Sequence, residues 1–204
     1  MPLVNKRPIG EGFLAVWYRD ESTAQLLERL ILSSREKSYY DKIAGQPRRR
    51  KEWLTWHVMV REFLGEDIRT DYDERKNPLL INHPGHISVS HSNDVVALYY
   101  QPARCGVDIE DCGRRFERVS ERYISPEEWQ LPGASRTNRF QALMWCLKEA
   151  AYKYAGQPGL DFLEGIRVTH IDIHASEAAI LLSGEQKITL KYEFLQGHCL
   201  AYTI

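Results

Sequence analysis

Apolar and polar positions alternate in recognisable blocks along the chain. Residues 12–18 form a short apolar run that predicts a first strand. Ser22 then stands where a helix cap belongs, ahead of an apolar face made of Leu26, Leu27, Leu30 and Ile31. Ser33-Ser34-Arg35-Glu36 has the spacing of a capping box and predicts a second helix ending near Gly45-Gln46-Pro47. Arg48 to Leu64 predicts a longer helix, because Trp53, Trp56, Val60, Phe63 and Leu64 recur at helical spacing and Gly65 follows where a left-handed cap fits. Beyond a polar stretch, Ile87–Ser90 alternates as a strand, Asn93-Asp94 offers a turn, and Val95–Tyr100 is rich in strand formers.

The second half repeats this mixture. Gly106–Glu110 predicts a short strand, and Ser125-Pro126-Glu127-Glu128 carries the signature of a helix start. Phe140 to Ala155 is the clearest helix, with Gly156 and Pro158 as stop signals. From Ile166 to Ile204 the pattern is strand-like, with turns at Gly184-Glu185 and Gln196-Gly197. The fold class is α+β, with two α+β halves, 1–102 and 103–204, sharing one compact body as a pseudo-repeat.

Composition narrows the picture. Hydrophobic residues make up 43% and charged residues 27%, globular values that argue against disorder. A net charge of −1 excludes a global basic field for nucleic acid. The apolar run at 13–18 is too short for a membrane span or a signal-peptide core. Cys105, Cys112, Cys146 and Cys199 form no C-x-x-C pair and read as reduced packing residues of a cytoplasmic protein.

Chemistry concentrates in a few places. Asp108 and Glu110 lie two apart on a strand, so both project from one face while Val107 and Ile109 take the other. Paired carboxylates repel unless a cation or proton lies between them, and a hard divalent ion would resolve the conflict; a solvated edge-strand face is the plainer alternative. On the 140–155 helix, Trp145, Glu149 and Lys153 share a stripe at four-residue spacing. Glu149 and Lys153 there could be a helix-stabilising pair, but that leaves a Trp on a polar stripe unexplained. His91 is either a local turn residue or a donor to an anion. The run Arg48-Arg49-Arg50-Lys51 opposes the helix dipole at its start, a placement that makes sense for an anion site.

Three blocks in this order resemble the 4′-phosphopantetheinyl transferases, specifically the longer Sfp-type: Ile87-Ser-Val-Ser-His-Ser92, Gly106-Val-Asp-Ile-Glu110 and Trp145-Cys-Leu-Lys-Glu-Ala-Ala-Tyr-Lys153. The resemblance implies two similar α+β halves about a pseudo-twofold axis with the active site between them. It implies transfer of 4′-phosphopantetheine from coenzyme A to a serine of an apo acyl or peptidyl carrier protein of fatty acid, polyketide or nonribosomal peptide synthesis. Adenosine 3′,5′-bisphosphate would be released, magnesium would be the cofactor, and a monomer would suffice. By position, Asp108, Glu110 and Glu149 would be metal ligands, with Glu149 also the general base. Lys153 would contact the phosphates and take part in catalysis, while Asp108, Ser90 and His91 would also meet coenzyme A. Arg48 would take the 3′-phosphate, Lys76 would stand near the nucleotide, and Lys37 is a further candidate. The chain departs from the family pattern at His57, often an arginine, and at the split pair Lys76-Asn77-Pro78. A magnesium-dependent phosphodiesterase and a silent coenzyme A or carrier-protein binder are the alternatives.

Overall fold

The strand run from Gly12 forms β2 (Gly12–Tyr18), paired antiparallel with β1 (Val4–Ile9) in a computed structural model that describes residues 4–204. No hydrophobic pattern announces β1. It lies at the sheet edge, where Lys6, Arg7 and Pro8 suit a strand that must not recruit another. Contacts divide the chain between Arg104 and Cys105 into two compact units.

In the first unit, three helices follow β2: α1 (Thr23–Glu28), α2 (Ser34–Lys42) and α3 (Pro47–Leu64). Ser22 and Ser33 each close a full capping box, with Gln25 and Glu36 reaching back. Such a cap contributes about 1 kcal/mol. The apolar face expected for α1 is only half realised. The helix stops at Glu28, so Leu26 and Leu30 are buried while Ile31, beyond its end, is 83% exposed. Gly65 ends α3 with φ 134° and ψ 145°, a positive-φ conformation open essentially to glycine but outside the αL region of the expected cap. Next come β3 (Thr70–Tyr72) and β4 (Pro78–Leu80), a small separate ribbon, then β5 (His86–Ser92) and β6 (Val95–Gln101). The β5–β6 turn places Asn93 at φ 47°, a left-handed conformation that Asn tolerates. The main sheet runs β1-β2-β6-β5, antiparallel throughout.

Helix α3 is buried over the whole stretch Glu52–Arg61, polar residues included. His57 is enclosed. Its Nδ1 lies 2.7 Å from the Trp53 carbonyl, which can only accept, so the proton sits there and Nε2 faces the Thr70 hydroxyl at 2.8 Å. Burial, working against that carbonyl and Glu36, pulls His57 down to about 3. Burial acts to raise Glu36, but hydrogen bonds from Ser33 and Arg61 prevail and hold it at about 2. The Arg61–Glu36 contact is 2.5 Å long, between side chains 6% and 2% exposed.

The second unit opens with β7 (Val107–Asp111), followed by a long irregular segment and α4 (Asn138–Ala155). Its remaining strands are β8 (Ile166–Asp172), β9 (Glu177–Leu182), β10 (Gln186–Leu195) and β11 (His198–Thr203). The sheet order is β7-β11-β10-β9-β8, again antiparallel. Thr137 caps the start of α4 and Gly156, left-handed at φ 59°, ends it. Alanines and cysteines line its contact with the sheet: Ala142, Cys146, Ala150 and Ala151 meet Cys199 and Ala201. All four cysteines are free, three of them buried, and burial raises the fourth, Cys112, to about 11.

The helix expected from Ser125 does not form. Ser125 and Glu128 do make the reciprocal capping bonds, at 2.8 and 3.3 Å, yet only a 3-10 turn, Glu128–Gln130, follows. Pro132 disfavours helical geometry at Leu131, and the Glu128 carboxylate is drawn inward to Lys148 and the Val168 amide. No helix of the described residues is long and apolar enough to cross a membrane.

Candidate active site

Gly106 sets the geometry of the second unit. A Cβ there would lie 2.0 Å from the Ala150 carbonyl oxygen and 2.9 Å from the Tyr154 amide, so only glycine lets β7 lie this close to α4. Asp108 then reaches Lys153 of α4. The Lys153 ammonium donates to Asp108 Oδ1 at 2.8 Å and to the Val107 carbonyl at 3.0 Å. Asp108 is only 4% exposed, which excludes the solvated-face reading for it. Glu110, on the same strand face, pairs with Arg114 at 2.8 Å. Val107 and Ile109 are buried on the opposite face, as their alternation requires.

Glu149 completes the group. Burial is the largest cause of its upward displacement, to about 7; Asp108 and Glu110 push the same way and Lys153 opposes them. A carboxyl poised near neutrality can accept a proton at working pH. One turn earlier, Trp145 lies at 5.7 Å from Phe162, ring on ring, and meets Tyr123 edge-on at 5.1 Å. Trp145, Glu149, Phe162, Tyr123 and Arg114 line a cavity of about 480 Å³. The Trp on the polar stripe is thus part of a cavity wall.

These oxygen donors have the chemistry a hard divalent cation requires, and their mutual repulsion is the charge such an ion would offset. Among the described residues, no group of three His, Cys, Asp or Glu side chains stands ready as a metal cage. Lys153 and Arg114 instead hold Asp108 and Glu110.

Residues 104–203 match the family model described as the 4′-phosphopantetheinyl transferase superfamily. The chain belongs to that superfamily. No curated protein matches it. The matched span contains Asp108, Glu110, Glu149 and Lys153 of the β7–α4 group. An α+β phosphopantetheinyl transferase fold agrees with the mixed sheet and helix of both units.

The other candidate residues of the superfamily member lie in the first unit, outside the matched span. A cavity of about 580 Å³ there is lined by Tyr39, Arg49, Trp53, Tyr72, Lys76 and His91, among others. Tyr39 stacks on Tyr72 at 4.9 Å, giving the cavity an aromatic wall. Arg48 and His91 line an adjoining cavity of about 540 Å³. Both reach Glu52, Arg48 at 2.9 Å and His91 at 3.4 Å. Lys76 sits at φ 66° in a turn organised by Asp73, which accepts from the Arg75 and Asn77 amides and the Asn77 side chain. The inserted Asn77 completes that turn, and Lys76 and Pro78 still line one cavity.

Not every expected residue joins them. Ser90 is buried and alternates with His91, so the two project from opposite faces of β5. Lys37 belongs to a separate depression on α2 with Ser34, Ser38, Asp41 and Lys42. The basic run disperses: Arg49 bonds the Tyr39 hydroxyl, Arg50 covers the Tyr40 ring and Lys51 reaches the Arg19 carbonyl. Two residues escaped the sequence reading. Glu52 and Lys148 are charged helix residues to which the sequence reading assigned no role, yet both are buried. Only the absence of an apolar residue at their positions on otherwise buried turns could have signalled them.

Proposed function

We propose that this chain transfers 4′-phosphopantetheine from coenzyme A to a serine of an apo carrier protein, acyl or peptidyl, in an Sfp-type reaction that depends on magnesium. The observation that carries the reading is Glu149, a carboxyl held near neutrality beside Asp108 and Lys153 within the span that matches the superfamily. The serine hydroxyl attacks the β-phosphorus of coenzyme A, a new phosphorus–oxygen bond forms, and the bond to the bridging oxygen breaks. Glu149 accepts the hydroxyl proton, a service that contributes about 10²–10⁴ in rate. Adenosine 3′,5′-bisphosphate leaves with the bridging oxygen. A divalent ion held by Asp108, Glu110 and Glu149 would supply positive charge to the diphosphate. Lys153, already positioned by Asp108 and the Val107 carbonyl, adds an ammonium aimed at the same charge.

In this reading the first unit holds the nucleotide end of the donor. Arg48 and His91 supply cations for its phosphates, and Lys76 with the Tyr39–Tyr72 wall suits the base and sugar. The partner provides the serine, so the chain itself needs no nucleophile. Intact-mass measurement tests the proposal: the chain, coenzyme A and magnesium are incubated with apo carrier proteins from fatty acid, polyketide and peptide synthesis. The expected result is a gain of one phosphopantetheine group on at least one of them. Coenzyme A binding without any gain would make the chain a binding protein, and coenzyme A cleavage without acceptor labelling would make it a phosphodiesterase.

A further inference from the structure

Lys148 stands next to Glu149 in the helix, yet its side chain is 0% exposed. An ammonium has three donors, and here all three have acceptors. Its Nζ meets both carboxylate oxygens of Glu128 at 2.8 Å and the Phe162 carbonyl at 2.6 Å. Glu128 is filled in turn by the Ser125 amide on one oxygen and the Val168 amide on the other, each at 2.8 Å. No donor is left over for a phosphate. What the ammonium does hold is the segment after α4, at the residue whose ring lies against Trp145.

We propose that Lys148 is a positioning residue of the transferase site: by tying the Phe162 carbonyl to α4, it fixes the Phe162–Trp145 wall of the cavity that contains Glu149. The effect on turnover rests on the function proposed above; the effect on the wall does not. Asp161 steadies the same segment from the other side, accepting from the Leu163 and Glu164 amides at 2.8 Å. The segment therefore has its own turn geometry; the Phe162 ring lies against Trp145 and Tyr152 of α4, and the Lys148 ammonium adds a hydrogen bond from the helix to the Phe162 backbone. Without that tether the Phe162 ring can leave Trp145, and the wall beside Glu149 loses its fixed position. Misplacement of this kind can cost about 10²-fold in rate although no reacting group is removed.

The full-length protein labelled with 5-fluorotryptophan provides a readout independent of activity, with the Trp145 fluorine resonance identified from Trp145→Phe. Lys148→Met leaves the Glu128 charge buried without a counter-charge, so it lowers the thermal midpoint for that reason by itself. The double variant Lys148→Met/Glu128→Gln removes both charges and is expected to recover most of that loss. Its Trp145 resonance should remain displaced and its kcat reduced on the order of 10–100-fold, with the KM for coenzyme A unchanged, because the Phe162 carbonyl still lacks its donor. Glu128→Gln alone keeps Lys148 on Phe162 and should retain the wild-type resonance and kcat. A double variant with wild-type Trp145 resonance overturns the proposal, as does a Glu128→Gln variant that loses it. If the double variant does not fold, Glu128→Gln decides alone. If the wild type transfers nothing, the functional reading fails while the fluorine resonance still tests Lys148.

Discussion

The two units use the same parts for opposite electrostatic ends. Each has an antiparallel sheet and one 18-residue helix, α3 or α4. In the first, the buried titratable groups are settled: His57 is held neutral and Glu36 ionised, each far from the pH at which it would change. In the second, Glu149 is held close to its changeover, at about 7, by burial and two neighbouring carboxylates. A settled network fixes a wall, whereas a poised carboxyl can exchange a proton. In the proposed reaction, proton transfer would fall to the poised carboxyl of the second unit.

The sharpest way to break this division is Glu149→Gln. Turnover should fall by about 10²–10⁴ while coenzyme A affinity, measured by calorimetry, stays near wild type. Equal losses in both would mean that Glu149 serves binding more than chemistry.

Acid should separate the units next. His57 has a folded pKa of about 3, below its usual 6.5, so its contribution is fully present above 6.5 and is lost as pH falls through 3. Glu36 acts in the same direction, from its usual 4.5 down to about 2. By pH 4 the His57 share alone amounts to on the order of 3 kcal/mol. Hydrogen-exchange protection in α3 should drop between pH 6.5 and 4 more than in α4, and His57→Gln should flatten that slope. Equal losses in the two helices would remove the distinction.

Arg48→Ala should weaken coenzyme A binding by about 1.5–3 kcal/mol, the scale of a charged hydrogen bond, and leave kcat unchanged. It should also narrow the preference for coenzyme A over its 3′-dephospho form. A variant that still discriminates fully would move the 3′-phosphate contact to another cation, with Lys76 the first to test.

The smallest effect is alkaline. Glu149 has its pKa raised, so its stabilising share is full below 4.5 and is lost as pH rises through about 7. Without metal, Glu149→Gln should therefore raise stability at pH 8, by on the order of 1–2 kcal/mol, and change little at pH 4. Denaturant titration at the two pH values measures it, and a gain at pH 4 equal to that at pH 8 would deny the poised carboxyl.

Much of this arrangement is legible in the chain because the elements that carry it obey simple periods. The capping serines Ser22 and Ser33, the alternation at Ile87–Ser90 and the α4 stripe of Trp145, Glu149 and Lys153 each follow from local spacing. What escaped the sequence depends on distant partners. The helix expected after Ser125 fails because Glu128 is claimed by Lys148, twenty residues on. β1 is hidden because an edge strand carries charge and proline where an inner one carries valine. Ser90 and His91, adjacent in one motif, part company because a strand sends neighbours to opposite faces.

The cysteines have a consequence for handling thiols. Coenzyme A and the arm it would donate both end in a sulfhydryl, and thiol exchange requires an accessible thiolate on the attacking side. Cys105, Cys146 and Cys199 are buried, and Cys112 is held in its protonated, unreactive form. The protein can therefore pass one thiol-tipped molecule after another without being captured as a mixed disulfide, and mild oxidants that cross-link its donor leave its own sulfur untouched.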